Sequence, residues 1–239
     1  MPTALVLSAG GLYAAWEVGV WKALWRRIRP DMIVGASAGA WNGWMIAGGL
    51  TPDELAAEWL DPHNRGLMQF GPHAFGLLRP DALHQRAKEL AARFQPRTPF
   101  GLTMVEVPSL RLRLVREGEI DWRHLAATAA IPGGFPPVRI DGKLYVDGGF
   151  KGALPLWAAE AMGAERAIAL NVLTTLPFRV LRQVLPPLRA SKKLEVVLLE
   201  PSEPLGPLGH AVRWSRDRIE RWIELGERDG NRAMTSITM

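Results

Sequence analysis

The chain has 239 residues, 48% apolar and 22% charged, with no cysteine; this balance supports a sizeable folded core and excludes disulfides, thiolate nucleophiles and thiolate metal sites. Its apolar runs are too short and too interrupted to span a bilayer. The 29 basic residues, 23 Arg and 6 Lys, outnumber 24 acids for a net charge of +5, a surplus that favours anionic surfaces; with no zinc-finger spacing and no helix-turn-helix signal, nucleic acid is not an expected partner.

Residues 3–7 form a short run of strand formers, Ser8-Ala9-Gly10-Gly11 breaks it, and residues 12–27 take up a helical period. Residues 32–34 are the next strand and the apolar segment from Ala40 the next helix. Two strand-turn-helix units in succession predict a parallel sheet, with both turns at its carboxyl edge, where open α/β sheets place ligands. Thr51-Pro52-Asp53-Glu54 starts a helix that runs to about Leu60. Residues 61–80 are rich in Gly and Pro yet apolar, and are read as either a packed surface loop or a mobile cap over an acyl chain.

Further helices are expected over 81–94, 121–130 and 155–162, and strands over 110–115, 167–172 and 194–199. Asp141-Gly142 lies between two apolar runs as a two-residue hairpin turn, and Asp147-Gly148-Gly149 follows. Residues 173–193 read as helical or irregular, interrupted by Pro186-Pro187, and the last helix as residues 210–228. The expected architecture is a three-layer α/β/α sandwich with a mostly parallel central sheet, one domain over residues 1–239. The amino terminus lacks the basic region of a secretory signal, so a cytoplasmic location is expected.

Gly35-Ala36-Ser37-Ala38-Gly39 carries the chemistry. A serine between glycines at a strand-to-helix turn reads as a nucleophile elbow, because the glycines remove Cβ atoms from a tight turn and leave the hydroxyl exposed. That hydroxyl needs a base to take its proton as it attacks an acyl carbon.

With its neighbours, the elbow resembles the patatin-like phospholipases, serine acyl hydrolases that use a Ser-Asp dyad. The three family motifs occur in order as Ala9-Gly10-Gly11-Leu12-Tyr13-Ala14, Gly35 to Gly39 and Asp147-Gly148-Gly149. The block from Ala129 to Val138 resembles the family segment preceding the aspartate, so the likeness covers roughly residues 4–160. The resemblance implies Ser37 as nucleophile, Asp147 as base, backbone N–H groups of Gly10, Gly11 and Ala38 as oxyanion donors, and no cofactor or metal. It implies an acyl-lipid substrate and a phospholipase A, lysophospholipase or carboxylesterase reaction. Acyl transfer by the same dyad and a catalytically silent lipid-binding protein are the alternatives. One departure stands out: the outer glycines of the first motif are Ala9 and Ala14, and Tyr13 occupies the family's Arg position.

A rival assignment takes Ser37, Asp147 and His210 as an α/β-hydrolase triad, although Ser37 follows only the second strand, early for that fold. Trp16, Trp21, Trp25, Trp41 and Trp44 are either core or pocket lining. In the last helix an apolar stripe alternates with Arg213, Arg216, Arg218 and Arg221, so it either packs on the sheet with a solvated basic face or contacts an anionic membrane peripherally.

Overall fold

Two apolar runs with almost no polar interruption form the middle of the sheet. Strands β1 (Thr3–Leu7) and β2 (Met32–Ala36) are buried along their lengths except at Thr3 and pair in parallel, Ala4 opposite Met32 through Leu7 opposite Gly35. Burial on both faces is what a continuous apolar run, rather than an alternating one, produces. The computed structural model describes residues 1–174 and 193–237; the expectation for residues 173–193 falls almost wholly outside them.

On one flank of β1 lie β9 (Arg166–Leu170) and then β10 (Glu195–Leu199), both parallel. On the other flank β2 pairs in parallel with β5 (Phe100–Val107). Three antiparallel strands complete the sheet: β6 (Arg111–Arg116), β8 (Lys143–Asp147) and β7 (Val138–Ile140). Leu5, Leu7 and Ile33 point into a large apolar layer beneath α1 (Ala15–Leu24), α2 (Ala38–Ala47), α4 (Pro80–Arg93), α5 (Trp122–Thr128) and α8 (Arg216–Ile237). Ala4, Val6 and Val34 point into a smaller one against α7 (Leu156–Ala161). This is the expected three-layer arrangement with a mostly parallel sheet.

The length of β5 decides where the carboxyl ends meet. β6 occupies one edge of β5 over Gly101–Glu106, so the other edge is shared: β2 pairs with Phe100 to Thr103 and β8, running the opposite way, with Met104 to Val107. Ala36 stands opposite Thr103 and Asp147 opposite Met104. The carboxyl ends of β2 and β8 therefore meet head-on at consecutive residues of one strand.

Local signals hold at α3 (Pro52–Leu60), where Thr51 and Glu54 form a capping box, and at the β7–β8 turn, where Asp141 and Gly142 both take positive φ. Three expectations shift. The first helix begins with a 3-10 turn over Gly11–Ala14. Residues 61–80 are not structureless but hold a hairpin, β3 (Phe70–His73) and β4 (Gly76–Leu78). The last helix starts six residues after His210, which lies in a 3-10 turn over Leu208–Ala211, and it extends past residue 228.

That extension has a packing cause. A Cβ on Gly19 of α1 would lie 1.9 Å from the carbonyl oxygen of Ile223, and one on Gly226 of α8 would lie 2.0 Å from that of Trp16. The two helix backbones are thus in contact, and Trp16 Nε1 donates to buried Asp229 at 2.9 Å. A helical turn that would fray in isolation is held by the core. No described helix is long and apolar enough to cross a membrane.

Candidate active site

Ser37 sits between β2 and α2 with φ 56° and ψ −130°. A non-glycine residue there stores roughly 1–3 kcal/mol of backbone strain, so the surroundings must hold it. Its N–H donates to Thr128 Oγ1 at 3.0 Å, and that hydroxyl donates to the Thr103 carbonyl at 2.8 Å, tying the elbow to α5 and β5. The elbow glycines are forced by close approach. A Cβ at Gly39 would meet the Ser8 carbonyl oxygen at 2.4 Å, and one at Gly35 would meet Ala40 Cα at 2.5 Å.

Asp147 ends β8, and the head-on meeting with β2 places it beside Ser37; both are 4% exposed. Burial pushes the Asp147 carboxyl up to about 7, against hydrogen bonds from the Ser37 hydroxyl and the Gly149 N–H that favour the ionised form. The Gly149 bond is 2.7 Å. A Cβ on Gly148 would fall 2.2 Å from the Thr103 carbonyl oxygen, and one on Gly149 would fall 2.3 Å from Ala9 Cβ. The Asp-Gly-Gly turn is thus wedged between β5 and the first glycine loop.

Gly10 and Gly11 lie on that loop, Gly11 at φ 56°. Among the described residues, none accepts a hydrogen bond from the N–H of Gly10, Gly11 or Ala38. A Cβ on Gly10 would meet Val172 Cγ2 at 2.1 Å, and one on Gly11 the Ala211 carbonyl oxygen at 2.5 Å. The loop is seated on the carboxyl-terminal segment. Tyr13 completes the seat: it is 1% exposed, its hydroxyl lies 2.9 Å and 2.7 Å from the Gly206 and Pro207 carbonyls, and its ring meets Trp222 edge-on. A residue in the arginine position is here an apolar anchor with one polar tip. His210 lies in the 3-10 turn over Leu208–Ala211, which packs against the glycine loop at Gly11, and burial together with the Ser37 and Gly149 hydrogen bonds, not His210, accounts for the shift of Asp147.

Ser37, Ala38 and Gly11 open onto a cleft of about 710 Å³ that is open to solvent, walled by Trp41, Met45, Met68 and other apolar side chains. Trp41 is the pocket-lining tryptophan of the five considered; Trp16, Trp21 and Trp44 are core, and Trp25 is exposed. The charged groups of the wall are compensated, since Arg86 reaches Glu58 at 2.6 Å and Arg93 pairs with the same carboxylate. Burial raises the Glu58 carboxyl, but hydrogen bonds from both arginines outweigh it and hold the group below the usual range.

One buried carboxyl goes unannounced by any motif. Glu17 of α1 is 1% exposed; its Oε1 accepts from the Ser8 N–H at 2.9 Å and the Ser8 hydroxyl at 3.3 Å, and its Oε2 from Asn42 at 3.0 Å. Ser8 Oγ in turn accepts from Val172 N–H, and Asn42 from Trp59 Nε1 at 2.7 Å. The network ties the glycine loop to α2 and to a cleft wall. Its one signal in the sequence is a lone acid amid the apolar residues of α1. Glu17→Ala would orphan up to two buried donors, the Ser8 hydroxyl and one Asn42 N–H, each costing about 1–3 kcal/mol, while the Ser8 N–H keeps the Leu170 carbonyl; a fall in Tm larger than that of any surface Glu→Ala variant, read by calorimetry, is the expected outcome.

The model of the family "Patatin-like phospholipase" matches residues 5–160, about two thirds of the chain. The chain belongs to the patatin-like phospholipase family. Within it, the chain is 26% identical over 181 residues to patatin-like phospholipase domain-containing protein 6 of Homo sapiens, a match covering 71% of this chain and 13% of that protein. It is 28% identical over 176 residues to an NTE family protein of Mycobacterium bovis, covering 71% of this chain and 48% of that one. This patatin-like chain therefore corresponds to 13% of the length of its mammalian relatives. Among solved structures, VipD from Legionella pneumophila superposes with a TM-score of 0.63 over 98% of this chain and 67% of that one at 13% identity, a likeness of fold.

Proposed function

We propose that this patatin-like chain hydrolyses acyl esters of lipids through a Ser37–Asp147 dyad and an acyl-enzyme intermediate. The observation that carries the reading is a strained serine that lines an apolar cleft, paired with a buried aspartate to which its hydroxyl donates a hydrogen bond. Asp147 accepts the Ser37 proton as Oγ attacks the acyl carbon, and the proton passes to the departing alcohol. Water, deprotonated by the same carboxylate, then releases the fatty acid. The unused N–H groups of Gly10, Gly11 and Ala38 face the developing oxyanion, and α2 adds the positive end of its dipole; each donor is worth roughly 100-fold in rate or more.

The apolar walls favour an acyl chain over a polar acyl donor, and burial raises the Asp147 carboxyl toward neutrality. With a basic surplus on the chain, the substrate is expected at an anionic membrane surface, contacted peripherally. The test is stoichiometric labelling by a fluorophosphonate, followed by release of free fatty acid from a lysophospholipid. A labelled Ser37 with fatty acid as product supports hydrolysis. A labelled Ser37 whose acyl group goes to an added alcohol rather than water makes the chain an acyltransferase, and no adduct makes it a lipid-binding protein.

A further inference from the structure

The hairpin β3–β4 exposes apolar surface where a soluble fold gains nothing from it. Phe70 is 72% exposed, Phe75 67% and Leu77 55%. These are three of the four most exposed large apolar side chains among the described residues, and they lie within eight consecutive positions. Dense exposure of this kind marks a contact surface rather than scattered surface residues.

Its position ties it to the cleft from both sides. Leu67 and Met68, which line the cleft, lead directly into β3. Leu77 and Leu78 of β4 donate to the carbonyls of Gly133 (3.2 Å) and Gly134 (2.9 Å), just beyond the cleft-lining Ile131. A Cβ on Gly76 would lie 2.3 Å from the Gly134 carbonyl oxygen, so the base of the hairpin is pressed onto that turn. The exposed residues thus stand beside the opening through which a substrate would reach Ser37.

The charge around the hairpin has one sign. Between Asp61 and Asp81 there is no acid, while Arg65 and Arg79 are both exposed. Arg79 lies along the hairpin at Gly71, and Arg65 stacks on Trp214 with 4.9 Å to the ring centroid. Aromatic side chains flanked by arginines suit the boundary of an anionic bilayer, where rings enter the interfacial layer and guanidinium groups stay with the phosphates.

We propose that the β3–β4 hairpin is a membrane-docking element: Phe70, Phe75 and Leu77 enter the interface of an anionic bilayer and hold the mouth of the cleft against it. The committed partner is the lipid surface, whose phosphates complement the flanking arginines. The inference rests on the reading of the cleft as an acyl-lipid site, and its test separates the two.

The full chain and a Phe70→Ser/Phe75→Ser variant are co-sedimented with phosphatidylcholine vesicles with and without phosphatidylglycerol. Hydrolysis of a soluble short-chain ester and oligomeric state by light scattering are measured alongside. The double variant is expected to lose at least about tenfold in partition onto mixed vesicles. Its soluble-ester hydrolysis should match the parent, which also reports that it is folded. Arg65→Gln/Arg79→Gln should weaken binding only where phosphatidylglycerol is present, by about fivefold per charge. Unchanged partition of the double variant, a parent that binds neither vesicle, or a parent dimer that the double variant dissolves while vesicle binding persists would each overturn the docking role. A parent that hydrolyses no ester yet loses vesicle binding on these substitutions would overturn the reaction and leave the docking standing.

Discussion

Ser37→Ala is expected to lower acyl-ester hydrolysis by roughly 10⁴-fold or more and to abolish fluorophosphonate labelling, because the residual rate then comes only from the oxyanion donors and binding. Alanine at this position keeps the strained backbone, φ 56°, so the Ala variant should melt close to the parent. Ser37→Gly removes the strain as well as the nucleophile, and is expected to gain about 1 kcal/mol of stability while remaining as inactive. The pair separates chemistry from folding: a destabilised Ser37→Gly would mean that the elbow is not under strain, and an active Ser37→Ala would remove Ser37 from the mechanism. Loss of function with a gain in stability is the pattern of a residue held in place for its chemistry.

Asp147→Asn should lower kcat/KM by about 10²–10⁴-fold, the range for loss of a general base. The pH dependence gives the assignment a sign. Asp147 is raised to about 7 by burial, and a base works only when deprotonated, so activity of the parent should climb tenfold per pH unit below about 7 and level off above it. The residual activity of the Asn variant should not follow that curve.

Stability runs the other way. The folded-state value exceeds the ordinary carboxylate value of 3.8, so the contribution of Asp147 is full below 3.8 and falls away as pH rises toward 7, by up to roughly 4 kcal/mol. Asp147→Asn lacks this fall and should be more stable than the parent at neutral pH, provided the amide keeps the Gly149 bond. A parent activity that is flat between pH 5 and 8 would show that Asp147 is ionised throughout and that another group sets the profile. A variant His210→Ala with the full loss expected of Asp147→Asn would move the base to the α/β-hydrolase assignment.

How Ser37 and Asp147 come together was only partly legible beforehand. Gly35, Gly39 and Asp147-Gly148-Gly149 could be picked out because close backbone approaches restrict a position to glycine, and that restriction shows in the sequence. The capping box at Thr51 and the turn at Asp141-Gly142 could be read for the same reason: each depends on residues a few positions apart. Tyr13 is the counterexample. In the sequence it stands only as a departure from the family's arginine, whereas its hydroxyl and ring bind the loop to Gly206, Pro207 and Trp222, partners about 200 residues away.

The sequence by itself determined the two strand-turn-helix units, the parallel core they build and the serine elbow between them, since apolar run length and glycine placement are local quantities. Only the tertiary structure decided three things. The sharing of one β5 edge by β2 and β8 brings Ser37 to Asp147, and it depends on strand register rather than on any nearby residue. The burial of Glu17 and Asp147 sets their proton affinity, and burial is a property of every element packed above them. The exposure of Phe70, Phe75 and Leu77 was hidden within a segment whose composition suits a packed loop equally well, because an apolar side chain reads the same in sequence whether the fold covers it or leaves it bare.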